Sequence, residues 1–257
     1  MISHLLGTED IESDLEELIL EKTEGVPFFI EEFVKSLKDL KIVETKENKY
    51  HLAKDIQEVM IPSTIQDVIM ARIDSLPEGA KRVLQMGAVV GRELGHDLIK
   101  TVTGLSERGL LSQISVLKDS ELLYERGIYP QSTYIFKHAL TQEVAYNSLL
   151  LKRKKEIHEK IGRTIEKLYL ERLEELYEML AYHYQQSNDR EKGVEYLVLA
   201  AKKATEWFAN QEALAFCDEA LQTLDNLAAT EENDKLRKEI EFLLLQLKAI
   251  SDEVIPF

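Results

Sequence analysis

The chain is poor in the residue types that mark secreted, disordered or membrane-spanning proteins. Among 257 residues there is one cysteine, Cys217, so no disulfide can form within the chain and a reducing compartment is expected. With 11 glycines and 5 prolines the sequence predicts modules joined by short turns. It contains no run of about 18 apolar residues and no secretory signal pattern. We therefore expect a cytoplasmic protein with no membrane partner.

The sequence also lacks the residue patterns of catalysis. It contains no Gly-x-x-x-x-Gly-Lys-[Ser/Thr] loop to hold phosphates and no apolar strand ending in acidic residues to hold Mg²⁺. Cys217 lies among apolar helix positions, which favours a buried, inert thiol over a nucleophile. The six histidines show no metal-ligand spacing: they are His4, His51, His96, His138, His158 and His183. We expect no enzyme, no catalytic residue, no metal and no cofactor in this chain.

Acidic residues are in excess. The formal net charge of −15 repels a phosphate backbone, which argues against general nucleic-acid binding. Lys152, Arg153, Lys154 and Lys155 form a local exception, and a solvated helix face or an inter-domain contact is the favoured interpretation of it. Adjacent Glu31 and Glu32 diverge on a helix, so we expect them to be solvated rather than an acid and base pair.

Apolar spacing predicts a mainly α fold, and residues 1–60 are its first module. Two helices are separated by a turn in which Gly25 takes a positive φ and Pro27 occupies the first turn of the second helix. Two short β-prone runs, Lys41 to Thr45 and Lys49 to Leu52, then predict a small hairpin. A second module follows this hairpin.

Residues 61–150 show helices followed by a hairpin, which is the outline of a winged helix. Ser63 and Gln66 are spaced as a capping box at the start of its first helix. Another helix is predicted from Leu94 to Val102. Two strands, Leu122 to Arg126 and Thr133 to Lys137, then predict a β-hairpin.

Residues 151–257 have the pattern of antiparallel helical hairpins similar to tetratricopeptide repeats, with an uncovered last helix that predicts further repeats. Aromatic residues of this region are candidates for a partner-binding groove, although inter-helix packing is the favoured alternative for aromatics at helical spacing. These candidates are Tyr182, His183, Tyr184, Trp207 and Phe208.

Three stretches together resemble the regulatory half of the signal-transduction ATPases with numerous domains (STAND), relatives of the AAA+ class. Such proteins are often fused to adenylate/guanylate cyclase or transcription-regulator domains. The stretches are Thr23 to Glu32 (TEGVPFFIEE), Ile61 to Pro77 (with IPSTIQ and ARIDSLP), and Phe136 to Tyr146 (FKHALTQEVAY). Residues 1–60 then correspond to a helical lid of the ATPase module.

The resemblance implies roles for three residues. Gly25 and Pro27 would form the lid turn whose proline packs near the adenine base. His138 would match a histidine that reaches the β-phosphate of bound ADP and holds the closed state, since an imidazole can donate a hydrogen bond to phosphate. A plain helix-to-helix turn and a helix-capping histidine remain the alternatives. The repeats depart from the usual pattern at Asn188 and Gly193, where glycine and alanine are typical.

Because no phosphate-binding loop is present, the resemblance places ATP or ADP with Mg²⁺ in a domain ahead of residue 1. The expected function is a non-catalytic regulatory and protein-interaction fragment of a signalling ATPase. Its partners would be another protein, its own nucleotide-binding or output domains, or a second protomer. The alternative is a winged-helix DNA-binding regulator, but its candidate groove helix mixes Arg108, Gln113 and Lys118 with Glu107 and Asp119, so DNA is the less favoured partner.

Overall fold

The fold is that of a computed structural model that describes residues 1–6, 11–39, 42–46, 49–52 and 64–253. It is mainly α-helical, as the apolar periodicity predicts. The helices are α1 (Ile2–Leu6), α2 (Ser13–Thr23), α3 (Pro27–Asp39), α4 (Ile65–Ser75), α5 (Glu78–Val90), α6 (His96–Thr103), α7 (Glu107–Asp119), α8 (Ala139–Asn147), α9 (Leu151–Leu168), α10 (Tyr177–Gln185), α11 (Arg190–Glu206), α12 (Asn210–Leu224) and α13 (Glu231–Glu253). A 3-10 helix, Leu170–Leu176, follows α9.

Within the described residues, five short strands form two sheets. They are β1 (Val43–Lys46), β2 (Lys49–Leu52), β3 (Glu93–Gly95), β4 (Leu123–Arg126) and β5 (Thr133–Phe136). The first two pair antiparallel as the expected hairpin. The other three form a sheet in the order β3-β5-β4, in which β4 and β5 are antiparallel. Lys41 and residues 47–48 of the predicted first hairpin fall outside the described residues.

Two local predictions need correction. The cap of α4 is Thr64, whose hydroxyl accepts a hydrogen bond from the Asp67 amide at 3.1 Å, so the predicted capping box of Ser63 and Gln66 is out of register. Ser63 itself falls outside the described residues. Leu94 belongs to β3 and not to a helix, because α6 begins only at His96. Three residues give too little alternation for a strand to be recognised from sequence.

Contacts divide the chain into two compact units, the first comprising residues 1–93 and 107–148. Its first part is built around α2 and α3, with Leu15, Ile19 and Phe33 fully buried. Helix α4 packs against both α3 and α8, and α5 packs against α7 and α8. The three sequence stretches that carry the family resemblance all belong to this unit.

The second unit comprises residues 94–106 and the chain from Leu149 onward. Within it α6 packs on α9, and successive helices from α9 to α13 pack on one another. Ala200, Ala201 and Ala220 are fully buried, which permits the close helix approach expected for stacked hairpins. The module boundaries at residues 60 and 150 remain predictions. The division by contacts places α6 with the repeats rather than with α4 and α5.

Candidate functional site

The turn between α2 and α3 has the backbone geometry that its sequence demands. Glu24 and Gly25 lie in the left-handed region, with φ of 50° and 72°. The Val26 amide donates to the Thr23 carbonyl at 2.9 Å. The Val26 carbonyl accepts a hydrogen bond from the Ile30 amide in the first turn of α3. Pro27 is the first residue of α3, where its missing N–H leaves no bond unmade. Gly25 and Pro27 are both exposed.

His138 is brought directly against this part of α3. It precedes α8 as its N-cap residue, and its ring lies 4.3 Å from the ring of Phe28, centroid to centroid. The Nε2 atom of His138 is buried and has no hydrogen-bond partner among the described residues. Burial and the charges of Lys137 and Lys35 lower the pKa of His138 below its ordinary value, against the opposing pull of nearby glutamates. The side chain of His138 is therefore a neutral imidazole near pH 7. It lies against Phe28, the residue that follows Pro27 in the chain.

Glu32 is buried, which corrects the expectation that Glu31 and Glu32 are solvated. Its side chain is 1% exposed, and Oε2 accepts a short hydrogen bond from Nη1 of Arg72, which is 3% exposed. Nη2 of Arg72 donates to the Ser120 carbonyl at 2.7 Å. The Glu32 carboxylate of α3 can be buried because the Arg72 guanidinium of α4 pairs with it. Arg72 lies 40 residues along the chain, so no local pattern predicts the pair.

Glu31 lies at the edge of the same contact, partly exposed, and shares two lysines with Glu121. Lys35 Nζ is 2.6 Å from a carboxylate oxygen of each, and Lys137 Nζ is 3.0 Å from Glu31 and 2.7 Å from Glu121. The hydrogen bond from Lys35, together with that from Lys137, outweighs burial and lowers the pKa of Glu31 to about 2. The same lysines, Lys137 first, lower the pKa of Glu121 to about 2.

These side chains form one balanced charge cluster of three carboxylates and three cations, with His138 at its edge. The cluster consists of Glu31, Glu32, Lys35, Arg72, Glu121 and Lys137. It joins the three stretches that resemble the signalling ATPases: the first supplies both adjacent glutamates, the second supplies Arg72, and the third supplies Lys137 and His138. Segments separated by 40 and by 106 residues thus meet at one place.

Beside the cluster, one oxygen of Glu31, one of Glu32 and a ring nitrogen of His138 lie within 4.8 Å of one another. The Oε1 atom of Glu32, like Nε2 of His138, is buried without a hydrogen-bond partner in the described part of the chain. Glu31, together with Lys35 and Arg72 of the charge cluster, lines a cavity of about 380 Å³. No sequence spacing indicates this group, because the histidine is remote in sequence from the glutamates.

The five aromatic and histidine candidates for partner binding divide into two sets. Tyr182, Trp207 and Phe208 are exposed by 52%, 76% and 86%. His183 and Tyr184 are buried, so their placement in a surface groove is wrong and the packing alternative holds for them. Phe208 has a φ of 58°, which places an aromatic residue in the left-handed region at the exposed turn between α11 and α12.

Tyr184, one of the two buried candidates, belongs to a polar network centred on Glu166. The hydroxyls of Tyr184 and Tyr196 donate to its two oxygens at 2.9 and 2.6 Å, and the two phenol rings are stacked. Lys192 Nζ lies 2.7 Å from the same carboxylate. Burial, which alone would raise the pKa of Glu166, is outweighed by these three donors, and the pKa is lowered. The network joins α9, α10 and α11.

Gly193 departs from the usual repeat residue for a steric reason. A Cβ atom at this position would lie 3.0 Å from the backbone nitrogen of Gln185 and 3.2 Å from its side chain. Helices α10 and α11 therefore approach more closely here than an alanine would allow. Asn188, in contrast, has no positive φ that would require glycine.

The remaining candidate residues lie outside the charge cluster. Cys217 is buried, and burial raises the pKa of its thiol to about 11, as expected for an inert cysteine. The basic residues Lys152 and Arg153 lie exposed in the first turn of α9, where Arg153 pairs with Glu156 at 3.0 Å. Among the residues that the structure describes, no helix is both long and apolar enough to cross a membrane.

A known family model matches the N-terminal part of the chain. The family described as Domain of unknown function (DUF8739) matches residues 1–51, which include α2, the Gly25 turn and α3. A comparison with curated proteins found no match. The matched region supplies Glu31, Glu32 and Lys35 to the charge cluster, and Arg72, Glu121, Lys137 and His138 lie beyond it.

Proposed function

We propose that this chain is a non-catalytic regulatory and protein-interaction part of a multidomain signalling ATPase, in which it relays nucleotide state from α3 and α8 towards the helical repeats. The observation that supports the proposal is the meeting of the three family-like stretches at the charge cluster.

In the proposed function, His138 is the residue that senses the bound nucleotide. Its neutral ring is held against Phe28, and its Nε2 has no partner within the described protein. A buried polar atom without a partner is costly, so a hydrogen-bonding group from outside would be favoured there. A phosphate oxygen of bound ADP is such a group, provided that Nε2 carries the ring proton. Bound ADP would then stabilise the packing of α8 on α3. Loss of ADP, or its exchange for another nucleotide, would weaken this packing.

The exposed aromatics Tyr182, Trp207 and Phe208 support the interaction half of the proposal. Large aromatic side chains are the commonest anchors of protein interfaces, because they bury much apolar area at a small entropic cost. Phe208 is held outward by its left-handed backbone, a conformation that costs on the order of 1 kcal/mol for a non-glycine residue. Trp207 and Phe208 would bind a protein partner, or a second protomer, at the turn between α11 and α12, whereas Tyr182 lies on α10.

The experiment uses a longer protein in which a phosphate-binding-loop domain precedes residue 1. ADP affinity is measured by calorimetry for the parent protein, for His138→Ala, and for His4→Ala, which removes an exposed histidine outside the cluster. The proposal expects His138→Ala to weaken ADP binding by about tenfold, the value of one charge-assisted hydrogen bond, and His4→Ala to leave it unchanged. Equal affinities for all three proteins would refute the sensing role.

A further inference from the structure

Two buried atoms at the charge cluster have no hydrogen-bond partner among the described residues. They are Oε1 of Glu32, on a side chain that is 1% exposed, and Nε2 of His138. One oxygen each of Glu31 and Glu32 and one ring nitrogen of His138 lie within 4.8 Å of one another. Buried polar atoms in native proteins nearly always have partners, and a bound ion can take the place of a missing one. The three side chains are therefore spaced to surround a cation.

The donor set has a definite chemical preference. One imidazole nitrogen and two carboxylate oxygens are the ligands that Zn²⁺ and neighbouring divalent transition metals accept, with the remaining positions left to water. Mg²⁺ and Ca²⁺ prefer oxygen-only sites, so the imidazole disfavours them. We propose that Glu31, Glu32 and His138 form a binding site for one divalent transition metal ion of the Zn²⁺ class.

The surroundings hold these three side chains in place. Arg72 engages Oε2 of Glu32, which leaves Oε1 without a hydrogen bond, and Lys35 Nζ stays 4.0 Å from that carboxylate oxygen. The Phe28 ring packs against the His138 ring and restricts its rotation. Contacts of this kind behind a ligand orient it, and their loss commonly weakens metal binding. Of the three proposed ligands, Glu31 lines the cavity of about 380 Å³.

The charge balance of the cluster limits its affinity for a metal ion. The charge cluster is neutral before any ion enters, and Lys35 and Lys137 both bind Oε1 of Glu31, at 2.6 and 3.0 Å. A metal ion must therefore compete with two ammonium groups for this carboxylate. Removing one ammonium group should strengthen metal binding, which is the opposite of what a merely structural disturbance would do.

The test titrates the chelator-treated chain with Co²⁺, followed by its visible absorption, and with Zn²⁺ in competition. We expect one site, with affinity reduced about tenfold or more in His138→Ala and in Glu31→Gln. His4→Ala should bind as the parent does, although His4 lines the same cavity. Lys35→Met should bind about threefold or more tightly, whereas Lys118→Met, which removes an exposed lysine outside the cluster, should change nothing.

Glu32→Gln is avoided because it would leave the Arg72 charge buried without its partner. If His138→Ala fails to fold, as judged by circular dichroism, Glu31→Gln and Lys35→Met still decide the question. The absence of a saturable Co²⁺ or Zn²⁺ site, binding that persists undiminished in His138→Ala and Glu31→Gln, or weaker binding in Lys35→Met would each overturn the proposal. A metal ion and the phosphate of ADP would compete for the ring of His138, so the titration contains no nucleotide and its outcome is read separately from the ADP measurement.

Discussion

Arg72 on α4 donates a hydrogen bond to Glu32 on α3, and both side chains are almost completely buried, with exposures of 3% and 1%. This pair is the centre of the charge cluster. Arg72 also donates to the Ser120 carbonyl, so it ties α3 to the end of α7 as well as to α4. Arg72 thus joins α3, α4 and the end of α7 through polar contacts.

Breaking this pair should be costly. We expect Arg72→Met to lower the free energy of unfolding by about 3–5 kcal/mol, because it leaves the Glu32 carboxylate buried and uncompensated. The double variant Arg72→Met/Glu32→Met should cost clearly less than the sum of the single changes. Urea denaturation measures all three. Arg126→Ala is the control, since the exposed Arg126 and Glu93 pair should contribute less than about 1 kcal/mol. An additive double variant would show that the two charges are not coupled.

Close helix packing predicts the effect of two glycine substitutions. A Cβ at Gly162 would lie 2.8 Å from the ring of Tyr184, and a Cβ at Gly193 would lie 3.0 Å from the Gln185 nitrogen. We expect Gly162→Ala and Gly193→Ala each to destabilise the protein by about 1–3 kcal/mol in thermal or urea unfolding. Gly95→Ala is the matched control, because nothing lies within 4 Å of a Cβ there and the residue has an ordinary negative φ. A stability gain at Gly193 would contradict the packing described.

A buried histidine pair predicts acid sensitivity. Nδ1 of His158 on α9 and Nδ1 of His183 on α10 are 2.9 Å apart, and both residues are buried. Burial, with the charge of Lys154, lowers the pKa of His158 to about 4, and burial with the His158 neighbour lowers that of His183 to about 3. At any pH between these values and about 6.5 the unfolded chain binds more protons than the folded one.

The pair therefore supports the fold fully above pH 6.5, and this support is lost as pH falls towards 4. We expect the free energy of unfolding to decrease on the order of 3 kcal/mol from this source between about pH 7 and about pH 4.5. The variant His158→Leu/His183→Leu, which replaces both rings with apolar side chains, should show a flatter decline. Parallel pH profiles for the parent and the double variant would rule out this pair as the source.

The proposed function and the DNA-binding alternative predict opposite results for binding to duplex DNA. With a net charge of −15 and only a short basic turn at Lys152 and Arg153, we expect no retention of duplex DNA at physiological salt in a gel-shift assay. A salt-dependent shift that is lost in Lys152→Glu/Arg153→Glu would favour the DNA-binding regulator instead. Poly-glutamate competitor distinguishes a general polyanion effect from duplex recognition.

Much of the fold is predictable because helices and turns are local. The Gly25 and Pro27 turn and the small β1 and β2 hairpin both follow from a few adjacent residues. The cap at Thr64 and the strand around Leu94 escape prediction, because neighbouring residues offer equally good caps and three residues carry too little periodicity. These errors are small and lie at element boundaries.

The site is less predictable because it is assembled from remote parts of the chain. The family resemblance points to His138, but helical spacing alone suggests that Glu31 and Glu32 are solvated. Their partners Arg72 and Lys137 follow 40 and 106 residues later, and only the packing of α3 on α4 and near β5 brings them together. A buried charge on a helix face can be recognised only once its partner is known.

In the proposed function, nucleotide state changes the packing of α3 and α8 through His138. Hydrogen exchange measures this directly, in a longer protein that carries the proposed nucleotide domain, for the ADP-bound, ATP-bound and empty states. We predict that amide protection in α3 and in the first turn of α8 is highest with ADP, and that this difference disappears in His138→Ala but persists in His4→Ala. Identical protection of α3 and α8 in all three nucleotide states would contradict the proposal.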